Sequence, residues 1–226
     1  MPISRPPPSP VELYWRRVAP YLETWEWQRQ RAAAVAAGAA REALLLVEHP
    51  PVYTLGRRAD RAHLRRSEDE LRALGAEVHW IDRGGDVTWH GPGQVVGYPI
   101  LDLGRRGRDL HAYVRALEQV LIDVAASYGI GAARWPGRPG IWVGSEKLAA
   151  IGIHVSRWVS YHGFALNVAP DLSWFDHIVP CGLHDAGVTS LARLLGTPLE
   201  VDEVAERLAA QFARQFQVRL IAQAEG

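Results

Sequence analysis

The chain predicts an α+β fold in which a mixed, largely antiparallel sheet is flanked by helices. Three observations carry this. Strand-like and helix-like runs are mixed rather than strictly alternating. Three consecutive strand-like runs precede the strongest helix, and a second group of strand-like runs follows it. Regular strand–helix alternation would instead have predicted a doubly wound parallel sheet.

The elements follow in order. Residues 1–10, MPISRPPPSP, are proline-rich and are expected as a disordered or extended arm, leaving 11–226 as a single domain. VELYWRRV (11–18) alternates loosely and predicts a strand. PYLETWEWQRQRAAAVAAG (20–38) has Pro near its start, helix formers through the middle and Gly38 as a stop, so it predicts a helix. EALLLVEH (42–49), ended by Pro50 and Pro51, predicts a buried strand. SEDELRALG (67–75) predicts a capped helix, with Ser67 at the N-cap and Glu70 three residues on. EVHWI, DVTWH and QVVGYPILDL predict three strands separated by glycines. DLHAYVRALEQVLIDVAASYG (109–129) predicts a helix with Leu110, Val114, Leu117, Leu121 and Val124 on one face. GIWV, KLAAIGIHV and WVSYHGFALNV predict paired strands, and VDEVAERLAAQFARQFQV (201–218) a final amphipathic helix.

Composition excludes several classes of function. Formal net charge is +0, so the basic footprint of a nucleic-acid binder is absent. No apolar run reaches the roughly 18–20 residues of a membrane span, and the first residues lack the apolar stretch of a signal peptide. A single cysteine forms no internal disulfide. No low-complexity segment or internal repeat follows the first ten residues.

Among 25 lysines and arginines one is a lysine, Lys147 in GSEKLAAIG, and the one cysteine is Cys181 in IVPCGLHD. A free cysteine is commonly a small buried hydrophobe, but those sit inside periodic apolar segments, whereas Cys181 lies between Pro180 and Gly182 with histidines on both sides. A functional cysteine needs its thiolate, which at an ordinary pKa is only about 3% populated at pH 7, and a neighbouring ammonium raises that fraction. Lysine in a turn is ordinarily a solvated surface group. Arginine would serve such a turn equally well, yet cannot act as a base. The spacing His177-x3-Cys181-x2-His184 offers three metal ligands; a structural zinc would need a fourth, while a three-ligand catalytic site stays open. The glycine-rich run RGGDVTWHGPGQVVGYP (83–99) reads either as hairpin turns or as a loop that bends around a ligand. It lacks the Gly-Lys-Ser/Thr of a Walker phosphate loop.

In combination these motifs resemble the lipoyl(octanoyl) transferase family of lipoate biosynthesis. The resemblance rests on VEHPPVYTLGRR, RGGDVTWHGPGQVVGYPI, RPGIWVGSEKLAAIGIHVSRWVSYHGFALNV and IVPCGL, in order from about Leu45 to Cys181. It implies a fold similar to the catalytic domains of biotin and lipoate protein ligases. It implies an ATP-independent transfer of an octanoyl group from acyl carrier protein to a lysine of a lipoyl domain, through a cysteine thioester. Cys181 then falls on the family's nucleophile and Lys147 on its partner. Arg83, Gly84, Gly85, Asp86, Val87, Thr88, Trp89 and His90 match the first substrate-binding run; Ala150, Ile151 and Gly152 match the second, and Gly163, Phe164 and Ala165 the third. Ala150 departs from the serine often found there, which removes a hydroxyl but no backbone contact. The resemblance implies no cofactor and no metal, because the acyl group arrives on the phosphopantetheine of the carrier protein. Acceptors would be lipoyl domains of 2-oxoacid dehydrogenase E2 subunits and the glycine cleavage H protein, and the enzyme would be a cytoplasmic monomer.

Small residues in AAIG and GFA leave room for an apolar tail, and glycine-rich backbone presents N–H groups to an oxyanion, from the Gly84–Gly85 turn or from the backbone near Lys147. His90 reads as a pocket hydrogen-bonding group, a proton carrier or a structural histidine. Arg57 and Arg58, or Arg157, are expected to meet an acidic carrier protein. Rival readings are an ATP-dependent ligase on the same fold, a cysteine hydrolase pairing Cys181 with His184 or His154, and a binding module with an inert thiol.

Overall fold

The computed structural model describes residues 9–179 and 187–223. Chain order is β1 (Ser9–Arg16), α1 (Tyr21–Ala36), β2 (Ala43–Val47), β3 (Val52–Leu55), α2 (Glu68–Ala73), β4 (Glu77–Trp80), β5 (Val87–His90) and β6 (Gln94–Ile100). There follow α3 (Leu110–Ala126), β7 (Ala133–Trp135), β8 (Arg138–Val143), β9 (Glu146–Ser156), β10 (Val159–Asn167), β11 (Gly187–Val188), α4 (Leu191–Leu195), α5 (Val201–Phe216) and β12 (Val218–Ala222).

Among the described residues the strands form a nine-stranded sheet, in the order β12-β1-β2-β6-β10-β9-β8-β7 with β11 added beside β9, and a three-stranded sheet β4-β3-β5. Antiparallel pairings carry the centre, while β1 runs parallel to both β12 and β2. Every residue of β2, ALLLV, is buried because both faces of the large sheet are covered. Leu44 and Leu46 enter the main core with Tyr113, Leu117 and Leu121 of α3 and Leu208 and Phe212 of α5. Leu45 and Val47 point the other way, into clusters with Ala19, Trp27 and Tyr98. The small sheet closes its own core of Tyr53, Leu55, Leu71, Val78, Trp89 and Phe175, with Trp174 stacked 5.7 Å from Trp89.

Local rules account for the helix ends. Ser67 accepts from the Glu70 N–H while the Glu70 carboxylate accepts from the Ser67 N–H, the expected reciprocal cap. Asp109 caps α3 through the Ala112 N–H at 2.9 Å. Leu110 and Val114 depart from their expected place on the buried face: Leu110, the first residue of α3, is 42% exposed, Val114 is half-buried and borders a cavity, and the packed stripe is Tyr113, Leu117, Val120, Leu121 and Val124. The N-terminal arm also ends earlier than expected, because Ser9 and Pro10 already pair with Val218 and Arg219. Residues 1–8 lie outside the described residues. Strands β3, β7, β11 and β12 and helix α4 have no counterpart among the elements expected from the sequence.

Gly97 shows how tightly the centre is packed. A Cβ there would lie 2.1 Å from Cζ of the buried Phe164 ring on β10. Gly97→Ala is therefore expected to destabilise the protein by about 3 kcal/mol, since the buried ring or the two strands would have to shift. Gly131→Ala, where nothing lies within 4 Å, is expected to stay within about 0.5 kcal/mol. Urea unfolding of the two variants side by side checks this; equal midpoints would contradict the packing described.

Candidate active site

The two sheets face each other across a cavity of about 580 Å³. Its floor is the small-residue face of the central strands: Gly163 and Ala165 of β10, and Ala150 and Gly152 of β9 directly opposite them. Its roof is β5, from Val87 to His90, with the Arg83–Asp86 turn before it. Alternation along a strand explains why the middle residue of each small triplet behaves differently. Ile151 and Phe164 border the cavity, but they pack into the core on the far face of the sheet.

The turn is held on both sides by backbone. Gly84 N–H donates to Ile153 O at 2.9 Å, and a Cβ on Gly152 would lie 2.8 Å from Gly84 O. On the opposite side Arg57 N–H donates to Arg83 O at 3.0 Å and Arg58 N–H to Gly85 O at 3.1 Å. A Cβ on Gly56 would meet Gly85 O at 2.5 Å, so this approach requires glycine. The Arg83 guanidinium donates to Thr54 O at 2.6 Å and to Gly84 O at 3.0 Å, fastening the turn to β3. Asp86 accepts from its neighbour Val87 N–H at 2.7 Å and lies 2.6 Å from His63 Nδ1.

Lys147 reaches the cavity because β9 carries a bulge. Ile141 of β8 pairs with Ala149, but the next residue, Trp142, pairs with Lys147, so Leu148 is the extra residue. Leu148 and Ala149 consequently both face the core. Unbroken alternation from Ala149 would have sent Lys147 into the core; the bulge returns it to the face of Ala150 and Gly152. Its Nζ stands 4.8 Å from the centroid of the Trp142 ring, which Trp135 meets edge-on at 5.0 Å. On its other side Lys147 is paired with Val188 of β11, and Lys147 O accepts from Thr189 N–H at 3.0 Å.

Cys181 and His184 lie outside the described residues, but both ends of their stretch are anchored. Before it, Val179 N–H donates to His63 O at 2.8 Å, and Phe175 borders the cavity. After it, Val188 borders the cavity beside Lys147. Of the alternative histidines, His177 Nδ1 accepts from Arg66 Nε at 3.2 Å, and His154 Nδ1 donates to Asp82 O at 2.8 Å.

Tyr21, His90 and Tyr98 form an aromatic part of the cavity wall, with His49 packed behind them. His49 donates through Nδ1 to Ala19 O at 2.6 Å and receives the Tyr98 hydroxyl on Nε2 at 2.8 Å. His90 Nδ1 meets Gln94 Oε1 at 3.3 Å, and its ring stacks 6.1 Å from Tyr21. Gln94 donates on to Asn167 Oδ1, and Asn167 to Thr189 O, so a side-chain relay runs from His90 to the residue after β11. His162, at φ 55 within β10, gives its backbone N–H to Gln28 Oε1 and its Nε2 to Asp82. Such a backbone is costly for a histidine and persists because these bonds fix it. Burial pushes the Asp82 carboxyl upward, but hydrogen bonds from His162 and Tyr161 hold it well below the usual range. Burial pushes His49 down from 6.5 to about 4, and likewise lowers His90 and His162.

Lys147 and the expected substrate-binding residues, Arg83 to His90, Ala150–Gly152 and Gly163–Ala165, all border this one cavity, whereas Arg57, His154, Arg157 and His177 do not line it. Sequence reasoning missed Tyr21, Tyr98, His49, Asp82, His162 and Asn167. The histidine in EHPP and the polar Asn167 ending an apolar strand were the signals available.

The chain matches the model of the lipoyl protein ligase A/B catalytic domain over residues 20–213. It is 56% identical over 193 residues to an octanoyltransferase of Geobacter sulfurreducens, covering 85% of this chain and 79% of that protein. Its fold is similar to that of a bipartite lipoate protein ligase from Thermoplasma acidophilum, with TM-score 0.71 and 14% identity, covering 95% of this chain and 88% of that one. It is also similar to biotin protein ligase from Aquifex aeolicus in complex with biotin and ATP, with TM-score 0.51 and 12% identity, covering 92% and 70%.

The buried neutral imidazoles set a pH dependence. Each takes up its proton at lower pH than in the unfolded chain, so between about pH 6.5 and 4 the unfolded state holds more protons and stability falls as pH falls. His49 alone accounts for about 3 kcal/mol by pH 4. Urea midpoints are expected to decline through that window, and less steeply in His49→Gln, which cannot titrate. A midpoint constant from pH 7.5 to 4 would contradict a neutral cluster.

Proposed function

The chain belongs to the lipoyl protein ligase A/B catalytic-domain family, on its octanoyltransferase branch, and we propose that it moves an octanoyl group from the thioester of acyl carrier protein to a lysine of a lipoyl domain. The observation that carries the thioester route is local. The stretch containing Cys181 follows the Leu64–Ile178 bridge and returns at β11 beside Lys147, and Phe175 before it and Val188 after it both border the cavity.

The reaction has two balanced steps. The Cys181 thiolate attacks the octanoyl carbonyl, the bond to the pantetheine sulfur breaks, and the departing thiolate takes a proton from the Lys147 ammonium, which leaves Lys147 neutral. A neutral lysine amine of the acceptor then attacks the octanoyl-Cys181 thioester. The carbon–nitrogen bond forms, the carbon–sulfur bond breaks, and the amine's proton passes to Lys147. The ammonium of Lys147 in turn favours the thiolate form of Cys181. Arginine would keep that charge but could not accept the proton.

The octanoyl tail fits against Ala150, Gly152, Gly163 and Ala165, under Val87 and Trp89, with the aromatic wall of Tyr21, His90 and Tyr98 beyond. Gly84 N–H cannot serve the oxyanion because Ile153 O already takes it. Gly85, whose residue lines the cavity, supplies the donor from that turn. The acyl group arrives on the carrier's phosphopantetheine, so the protein needs no cofactor or metal of its own. Acceptors are lipoyl domains of 2-oxoacid dehydrogenase E2 subunits and the glycine cleavage H protein. A cytoplasmic site of action follows from these partners.

Incubation with octanoyl-acyl carrier protein and an apo lipoyl domain, without ATP, is expected to give the octanoyl amide. Lys147→Arg is expected to lose about 100-fold or more of that rate. Acceptor modification that requires free octanoate and ATP would make the protein a ligase, and wild-type rates in Lys147→Arg would remove the proton-transfer role.

A further inference from the structure

The chain is net neutral, yet residues 57–66, RRADRAHLRR, hold five arginines against one aspartate. Arg57, Arg58, Arg61, Arg65 and Arg66 are all exposed. Local carboxylates neutralise little of this charge. The exposed Asp60 caps the Ala62 N–H at 2.9 Å and lies within ion-pair distance of none of the five arginines. Glu68 lies 3.5 Å from Arg61 but is shared with Arg72 at 2.8 Å. Arg66 meets the imidazole of His177. Among the described residues Arg57, Arg58 and Arg65 have no carboxylate within ion-pair distance. Beside them Arg61 lies over the ring of Trp80, an aromatic that is 45% exposed.

The segment is joined to the active site in two places. At one end the Arg57 and Arg58 N–H groups hold the Arg83–Gly85 turn, and Arg58 borders the cavity. At the other, Leu64 bridges Ile178, Arg65 N–H donates to His177 O, and His63 O accepts from Val179 N–H. The chain then runs directly into Pro180 and Cys181. The arginines thus form a rim running from the cavity mouth to the stretch that carries the cysteine.

We propose that this arginine rim is the docking surface for the acyl donor, an acidic protein that presents its acyl chain on a phosphate-bearing arm, with Arg58 receiving the arm's phosphate at the mouth. The assignment rests on the octanoyl-transfer reading. Charge separates the two partners of that reaction. The donor brings a phosphodiester anion past Arg58, Arg138 and Lys147, whereas the acceptor brings an ammonium that the same cations repel. A surface of this kind accelerates encounter with an anionic partner and loses that effect as salt rises.

The test compares two donors, octanoyl-acyl carrier protein and octanoyl-pantetheine, the second lacking both protein and phosphate. Arg61→Glu/Arg65→Glu is expected to raise KM for the carrier-protein donor by about 10-fold or more, with KM for octanoyl-pantetheine and for the lipoyl domain within about twofold of wild type. In the wild type, kcat/KM for the carrier-protein donor is expected to fall steeply between low and high salt while that for octanoyl-pantetheine holds. Unchanged carrier-protein KM in the variant overturns the assignment, as does a rise confined to the lipoyl domain. Should the double variant not fold, a salt-insensitive wild-type kcat/KM for the carrier-protein donor overturns it instead. Failure of the wild type to transfer from either donor strikes the octanoyl-transfer reading itself, and the docking assignment falls with it.

Discussion

The site depends on a contact between two backbones with no side chain in the way. The Gly84 N–H is bonded to Ile153 O at 2.9 Å, and Gly84 O stands where a Cβ on Gly152 would be at 2.8 Å. With Gly56 permitting a second close approach from β3, this contact brings the small sheet down onto β9 and β10. The cavity is the space that remains between them, because its floor is glycine and alanine on one face while larger residues fill the other. A side chain at Gly152 would push the Arg83–Gly85 turn off β9, and one at Gly56 would push the same turn away from the end of β3, so either would alter the slot.

Charge is distributed unevenly along that slot. Lys147, Arg58 and Arg138 line it, whereas its aromatic wall contains His90 and is backed by His49, imidazoles that burial keeps neutral. The bulge at Leu148 decides on which face the one lysine appears. Trp142, opposite it in register, contributes a ring face that attracts an ammonium. Backbone geometry, more than side-chain identity, therefore determines what the lysine can reach.

Much of this was legible in the sequence, and the reason is local in each case. The reciprocal cap of Ser67 and Glu70 needs four residues. The β9–β10 pairing follows from two long adjacent strands joined by a two-residue turn. The unread parts depend on distant partners. β12 is a strand because β1 offers an edge from the other end of the chain. Strand β3, only four residues long, is defined by β4 and β5 on its two sides. Leu110 fits the helical period yet stands at the helix start, which periodicity does not register. Within the site, short motifs exposed the glycine turns and the small triplets. Tyr21, His49, Tyr98 and Asp82 are brought in by tertiary contact, and no spacing connects them.

The central claim is that the protein carries the octanoyl group on Cys181 between donor and acceptor. Its most direct test is the intact mass of the enzyme after mixing with octanoyl-acyl carrier protein, without ATP, beside Cys181→Ser. One added octanoyl group, absent from the serine variant and discharged by an apo lipoyl domain, is the predicted result. An unmodified enzyme that nevertheless octanoylates the lipoyl domain would contradict it.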